Sequence, residues 1–162
     1  MPRKNVVTWN SMTGGYFLNG FLSKASALFH QMPERDIFTY NTVISGLMHG
    51  HDVEGASGVF EGMACRDVVT WNAMLGGACK SRKDADTCKF FEGMPIKDVR
   101  AWNVMLEGYV GFECVDKAEI LFQEMPDKDL DSWKLLVSGL VKSRRLIGAL
   151  RYFMEMPTKC CN

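Results

Sequence analysis

The sequence has no excess of charge of either sign, since 19 basic side chains stand against 19 acidic ones. Bulk attraction to nucleic acid or to a membrane surface is therefore excluded, and any such binding must come from local placement. It has no CxxC pair among its six cysteines (Cys65, Cys79, Cys88, Cys114, Cys160, Cys161), and its three histidines do not stand at metal-ligand spacing from them. Neither a zinc site nor a disulfide framework is implied; no metal or other cofactor is expected, and a reducing compartment is the default. No apolar run approaches the roughly 18 residues of a membrane-spanning helix, so no membrane partner is expected. The opening MPRKN has neither signal nor transit-peptide character. What the chain does have is an apolar fraction of 47%, that of a sequence that folds.

It also repeats itself. Val6-Val7-Thr8-Trp9-Asn10 recurs letter for letter at Val68-Val69-Thr70-Trp71-Asn72, an offset of 62. Half that offset finds Ile37-Phe38-Thr39-Tyr40-Asn41, and the series continues with Val99-Arg100-Ala101-Trp102-Asn103 and Leu130-Asp131-Ser132-Trp133-Lys134. Counting from the first apolar letter gives five units, 6–36, 37–67, 68–98, 99–129 and 130–160, without insertion or deletion. Residues 1–5 align with Met32-Pro33-Glu34-Arg35-Asp36, the tail of a unit whose body is missing. The expectation is a chain that starts inside a truncated repeat.

The columns assign roles. The fourth position is a large aromatic in every unit, and the tenth is Gly (Gly15, Gly46, Gly77, Gly108, Gly139). Glycine costs a helix interior about 1 kcal/mol relative to alanine, so its recurrence implies a neighbour too close for a side chain. Later columns run through Ala25, Leu28, Phe29 and Met32 and their equivalents, ending at Ala149, Tyr152, Phe153 and Met156, at the i, i+3, i+4, i+7 spacing of one helix face. Thr8, Thr39, Thr70 and Ser132 stand where an N-cap is wanted, and Met-Pro ends the second helix. Each unit reads as a helix-turn-helix hairpin, with the Trp, Gly, Ala, Phe and Met columns as core. Such short hairpins cannot bury both apolar faces alone, so an all-α solenoid of stacked hairpins is expected.

The unit of apolar residue, any residue, Thr, Trp or Tyr, Asn, then Gly, Ala-x-x-x-Phe-x-x-Met-Pro-x-x-Asp resembles the pentatricopeptide repeat. Its 31-residue length and Met-Pro-Glu-Arg-Asp ending are similar to the short, S-type units of plant organellar PLS-class proteins. Tetratricopeptide repeats run 34 residues with a different Trp-Leu-Gly-Tyr pattern. The resemblance covers residues 6–160 and implies a right-handed superhelix that binds single-stranded RNA, one base per repeat, with the fifth and last residues of each unit reading the base. Carried onto this chain, those residues are Asn10 with Asp36, Asn41 with Asp67, Asn72 with Asp98, and Asn103 with Asp129.

The chemistry of the pair points the same way. An ionised Asp only accepts hydrogen bonds, so it favours the imino N–H of uracil or guanine and repels the bare ring nitrogen of cytosine or adenine; the Asn amide offers both donor and acceptor to a neighbouring carbonyl. In the family, Asn with Asp reads mainly as uridine, which implies a U-rich tract of about four nucleotides. Taken singly, each Asp is a loop residue or an N-cap for the next unit, and each Asn a solvated polar position; four matched copies favour readout. The resemblance makes Val7, Phe38 and Val69 base-packing positions and Lys80 and Lys142 phosphate contacts. Arg100 offers a guanidinium for stacking at the second position, whereas Asp131 repels phosphate. The fifth unit has Lys134 and Cys160 in place of the pair.

The H-x-E…P-C-x-x-C signature of the deaminase-like domains in RNA-editing relatives is absent, so no catalytic residue is expected and editing requires an enzyme acting in trans. The resemblance implies a mitochondrial or chloroplast location and a part in organellar RNA processing or editing. Uncapped repeat ends are expected to favour self-association. The alternatives are a protein-interaction scaffold and a truncated product with weak RNA binding.

Overall fold

The computed structural model describes residues 5–81 and 84–157, so Cys160, the expected last position of the fifth unit, lies outside the described residues. Among those described there are ten helices and no strand. They fall into two compact units, residues 1–94 and 95–162. The first contains α1 (Val6–Leu18), α2 (Leu22–Gln31), α3 (Ile37–His49), α4 (Val53–Glu61), α5 (Val68–Lys80) and α6 (Asp84–Gly93). The second contains α7 (Val99–Gly111), α8 (Val115–Glu124), α9 (Leu130–Lys142) and α10 (Leu146–Glu155). In the first, α3 packs between α1 and α5, with α2, α4 and α6 each against the helix before it; in the second, α7 and α9 lie side by side, backed by α8 and α10. Within each unit the hairpins therefore stack in chain order.

Every odd-numbered helix starts on the opening apolar residue of a repeat, and its cap is not the Thr or Ser position but the residue just before the unit, as the alternative reading of the Asp had it. Asn5, Asp36, Asp67, Asp98 and Asp129 are the N-caps, in extended backbone, each accepting a hydrogen bond at its side chain from the N–H three residues on. Thr8, Thr39, Thr70 and Ser132 occupy the third helical position and donate that N–H, over 2.7–2.9 Å. The carboxylate or amide oxygen just ahead of the helix reaches the orphan donors, while the threonine turns inward: Thr39, Thr70 and Ser132 are buried. At Asp36 and Thr39 the contacts are reciprocal, forming a capping box.

The turn inside the hairpin is equally regular. Gly20, His51, Glu113 and Arg144, all at the fifteenth position, take positive φ of 59–75°. The following N–H returns to a carbonyl five residues back (Phe21 to Tyr16, Asp52 to Leu47, Cys114 to Tyr109, Arg145 to Leu140), each over 2.9 Å. This is a Schellman closure of the first helix. At the end of the second helix, Met32 and Met125 adopt extended backbone before proline and stop α2 and α8. Arg35 then donates to the carbonyls of Phe29 and His30, with its guanidinium 4.7 Å from the Phe29 ring centre. Arg66 repeats this on Phe60 and Glu61, and the Lys128 ammonium takes the Met125 carbonyl. The sequence reading gave this basic position no role.

The Ala, Phe and Met columns form the core, with Ala25, Ala56, Ala118 and Ala149 buried and Phe29, Phe60, Phe91 and Phe122 each at most 7% exposed. Phe29 meets Tyr40, Phe60 meets Trp71 and Phe122 meets Trp133 edge to face, with ring centres 4.7–5.6 Å apart, so each phenylalanine joins its repeat to the next. Two expectations change. The fourth-position aromatics are half-buried lids on these contacts rather than interior residues. Phe153, expected in the core column, is 59% exposed, because no described helix follows α10 to cover it.

The glycine column acts as a set of sockets. A methyl on Gly46 would land in the Phe17 ring, one on Gly77 in the Met48 side chain, and one on Gly139 would meet Val110 Cγ2 at 2.6 Å. The close neighbour is a side chain from the preceding repeat's first helix. Gly15, which has no preceding helix among the described residues, has nothing within 4 Å.

Candidate nucleic-acid interface

The caps place the proposed reading residues. Because the Asp closing one repeat caps the first helix of the next, it lies beside the fifth residue of its own repeat, one turn into the parallel helix. Asn10 Nδ2 donates to Asp36 Oδ1 over 3.4 Å, Asn41 Nδ2 to the two Asp67 oxygens over 3.3 and 3.4 Å, and Asn103 Nδ2 to both Asp129 oxygens over 3.1 Å. Residues 26 apart in sequence thus meet three times. Asn72 belongs to the first compact unit and Asp98 to the second, where Asp98 caps α7. The Asp side chains serve at once as caps and as the partners of the asparagines. The asparagines are less open than a solvated polar position implies: Asn10 is 6% exposed, and Asn41 and Asn103 are half-buried.

This contact fixes which end of each amide is available. A carboxylate cannot donate, so the amide turns its nitrogen to it. The amide oxygen is then withdrawn: Asn41 Oδ1 accepts from the Thr70 hydroxyl over 2.6 Å, and Asn10 Oδ1 and Asn103 Oδ1 are buried without a hydrogen-bond partner. The second N–H of Nδ2 is what each amide has left to offer.

The carboxylates are held ionised. The hydroxyl and N–H of Thr39 keep the Asp36 carboxyl below the usual range. Burial pushes Asp67 up, but the Thr70 hydroxyl and N–H with the Asn41 amide outweigh it, and the net direction is down. At Asp129 burial is likewise outweighed by the Ser132 N–H and the Asn103 amide. Oδ1 of each accepts the N–H of the third helical residue, so Oδ2 is the less committed oxygen.

Around this row, the expected base-packing residues Val7, Phe38 and Val69 are 70, 63 and 59% exposed, each on the first turn of its helix three residues before the asparagine. They recur at the second position of the first three repeats. Arg100 and Asp131 occupy the same position on α7 and α9 and are exposed. Lys80 and Lys142, both exposed, are the last residues of α5 and α9, at the opposite helix end from the fifth position. In the fifth repeat Lys134 is exposed and lies 3.6 Å from Asp131. Among the described residues no group of three His, Cys, Asp or Glu side chains is placed to hold a metal ion, and no helix is long and apolar enough to cross a membrane. One site feature escaped the sequence reading: the buried third-position hydroxyl, whose threonine and serine letters were assigned to capping.

Comparison with known proteins bears on the whole array. The PPR repeat model matches five times, at residues 7–37, 38–68, 69–99, 100–130 and 131–161, each match beginning one residue after the start of an odd-numbered helix. The crystal structure of the pentatricopeptide repeat protein PPR10 from maize is similar over 95% of this chain, with a TM-score of 0.78 and 21% identity. PPR10 in complex with an 18-nt psaJ RNA element is similar over 91%, with a TM-score of 0.77 and 20% identity. This chain spans about a quarter of the length of those structures, 24% in each case. No curated protein matches it. The five matches, spaced like the helical hairpins themselves and covering nearly the whole sequence, make the chain a member of the PPR repeat family.

Proposed function

We propose that this chain binds single-stranded RNA one base per repeat, with a preference for uridine set by its Asn and Asp pairs. The observation that carries the proposal is the recurrent Asn–Asp contact with the amide oxygen withdrawn. An acceptor-only carboxylate beside an amide left with an N–H suits a base that presents an imino N–H next to a carbonyl. Uracil does so; cytosine and adenine present an exocyclic amine and a bare ring nitrogen instead. Guanine shares uracil's pattern along that edge, and its larger ring system is what the exposed Val7, Phe38 and Val69 must discriminate. RNA bound by a similar protein, PPR10, supports the ligand class. The four pairs are Asn10 with Asp36, Asn41 with Asp67, Asn72 with Asp98, and Asn103 with Asp129; Lys80 and Lys142 contact phosphate. The chain acts in organellar RNA processing or editing by positioning RNA, and an enzyme in trans performs any chemistry.

The test is direct titration with labelled U-rich, A-rich and C-rich strands at fixed moderate salt, because affinity for any polyanion varies with salt. The U-rich strand binds tightest. Equal affinity for all three removes the reading.

A further inference from the structure

The residue three places after each closing Asp is Thr39, Thr70, Ala101 or Ser132, and on one backbone frame these side chains do different things. The Thr39 hydroxyl donates to Asp36 Oδ1 over 2.6 Å and accepts the Asp36 N–H over 3.2 Å. The Thr70 hydroxyl stands 2.7 Å from Asp67 Oδ1 and 2.6 Å from Asn41 Oδ1, touching both members of a pair. Ser132 turns away, donating to the Asp129 backbone carbonyl over 2.7 Å. Ala101 has no hydroxyl at all. Correspondingly, the amide oxygen has a partner at Asn41 and none at Asn10 or Asn103.

We propose that Thr70 is a positioning residue for recognition by the second repeat: its hydroxyl holds the Asn41 amide with the nitrogen toward Asp67, so that this repeat discriminates uracil from cytosine more sharply than the first or fourth. The inference rests on the reading proposed above. Its physical basis is that a primary amide has one polar face of each kind, and a half-turn about its terminal bond exchanges them. The carboxylate restrains that turn from one side. At Asn41 the Thr70 hydroxyl also bonds the other end of the amide. Since a hydroxyl can donate or accept, it does not itself choose the face, but it tethers the amide beside Asp67, so the turned state, with its oxygen against a carboxylate, cannot be relieved by the side chain swinging away. A bond of this kind contributes on the scale of a three- to tenfold ratio. The third position of the third repeat therefore adjusts the fidelity of the second.

The test uses the whole chain and strands of four uridines in which one nucleotide at a time is replaced by cytidine, measuring the affinity ratio at each position together with thermal stability. Thr70→Val keeps the branched shape of a fully buried side chain and removes the hydroxyl. It is expected to lower the U-to-C ratio at the second repeat's nucleotide by about three- to tenfold while leaving the other positions unchanged. Thr39→Val, which removes a hydroxyl bonded to Asp36 and not to Asn10, is the control: it lowers the melting temperature and leaves the first position's ratio as it was. Where Thr70→Val does not fold, Thr70→Ser serves, since a serine free to turn to the backbone as Ser132 does lowers the same ratio by a smaller factor. An unchanged ratio in the Thr70 variants, or an equal loss in Thr39→Val, overturns the inference. A wild-type chain with no U-to-C difference at any position overturns the reading beneath it instead.

Discussion

The fourth and fifth repeats lie in one compact unit and share a frame, yet only one carries the Asn–Asp pair. In α9 the cap is Asp129, Ser132 is buried at the third position, Trp133 meets Phe122, Leu136 and Leu140 are buried, and Gly139 receives Val110. In α7 the corresponding cap is Asp98, with Ala101, Met105 and Leu106 buried. What changes is the fifth position: Asn103 faces Asp129, whereas Lys134 is drawn to Asp131 on its own helix. The core columns of the two repeats match, whereas Asn103 is half-buried beside Asp129 and Lys134 is exposed. A repeat can therefore change its fifth position with the core columns intact, while the Asp of the pair is also a helix cap.

The largest effect comes from attacking the frame. Gly139→Ala places a methyl against the stiff, branched Val110 and is expected to destabilise the second unit by about 1–3 kcal/mol, measured by denaturant unfolding. Gly15→Ala, with open space around it, is expected to stabilise by up to about 1 kcal/mol through helix propensity alone. If both changes have the same sign, the socket account fails. The converse experiment restores a reader: Lys134→Asn with Cys160→Asp gives the fifth repeat the pair of the fourth. A five-uridine strand should then be preferred over one with cytidine at the added position by roughly three- to tenfold, with little change in melting temperature. No new preference would mean that more than the pair separates the two repeats.

Acid acts on frame and reader together. Asp36, Asp67 and Asp129 have folded-state pKa values below those of the unfolded chain. The stability they contribute is thus fully present above the unfolded value near 3.9 and lost as pH falls through the lower folded values. Melting temperatures followed from neutrality into acid should be insensitive to these groups down to about pH 5 and fall below it, and Asp129→Asn should reduce the acid-sensitive part. The smallest effect is expected in the hairpin turns. Glu113 and Arg144 hold positive φ without being glycine, so Glu113→Gly or Arg144→Gly should each stabilise by about 0.5–1 kcal/mol in thermal melts.

How much of this was legible beforehand follows from the physics of each position. The hairpins were readable because the Gly, Ala, Phe and Met columns repeat in strict register, and packing tolerates few alternatives there. The true N-caps were harder to see. Asp36 and Thr39 are both good capping residues, and only backbone geometry shows that the carboxylate caps while the threonine occupies the third helical position. Phe153 obeys its column and is exposed nonetheless, because burial depends on a following helix rather than on the letter itself. That the asparagines meet the aspartates 26 residues later was not visible as a contact, since it depends on the spacing of two parallel helices. The withdrawn amide oxygen, which narrows the chemistry the pair can offer, arises only from the packing of neighbouring helices.

The central claim is that the second repeat's Asn41 and Asp67 read one uracil. The most direct measurement compares the affinity of the chain and of its Asn41→Ala, Asp67→Ala double variant for a four-uridine strand and for the same strand with cytidine at the second repeat's nucleotide. The account predicts that the wild-type chain prefers uridine there and that the double variant loses that preference while keeping it at the other positions. A preference that survives the double substitution, or that disappears at every position equally, would contradict it.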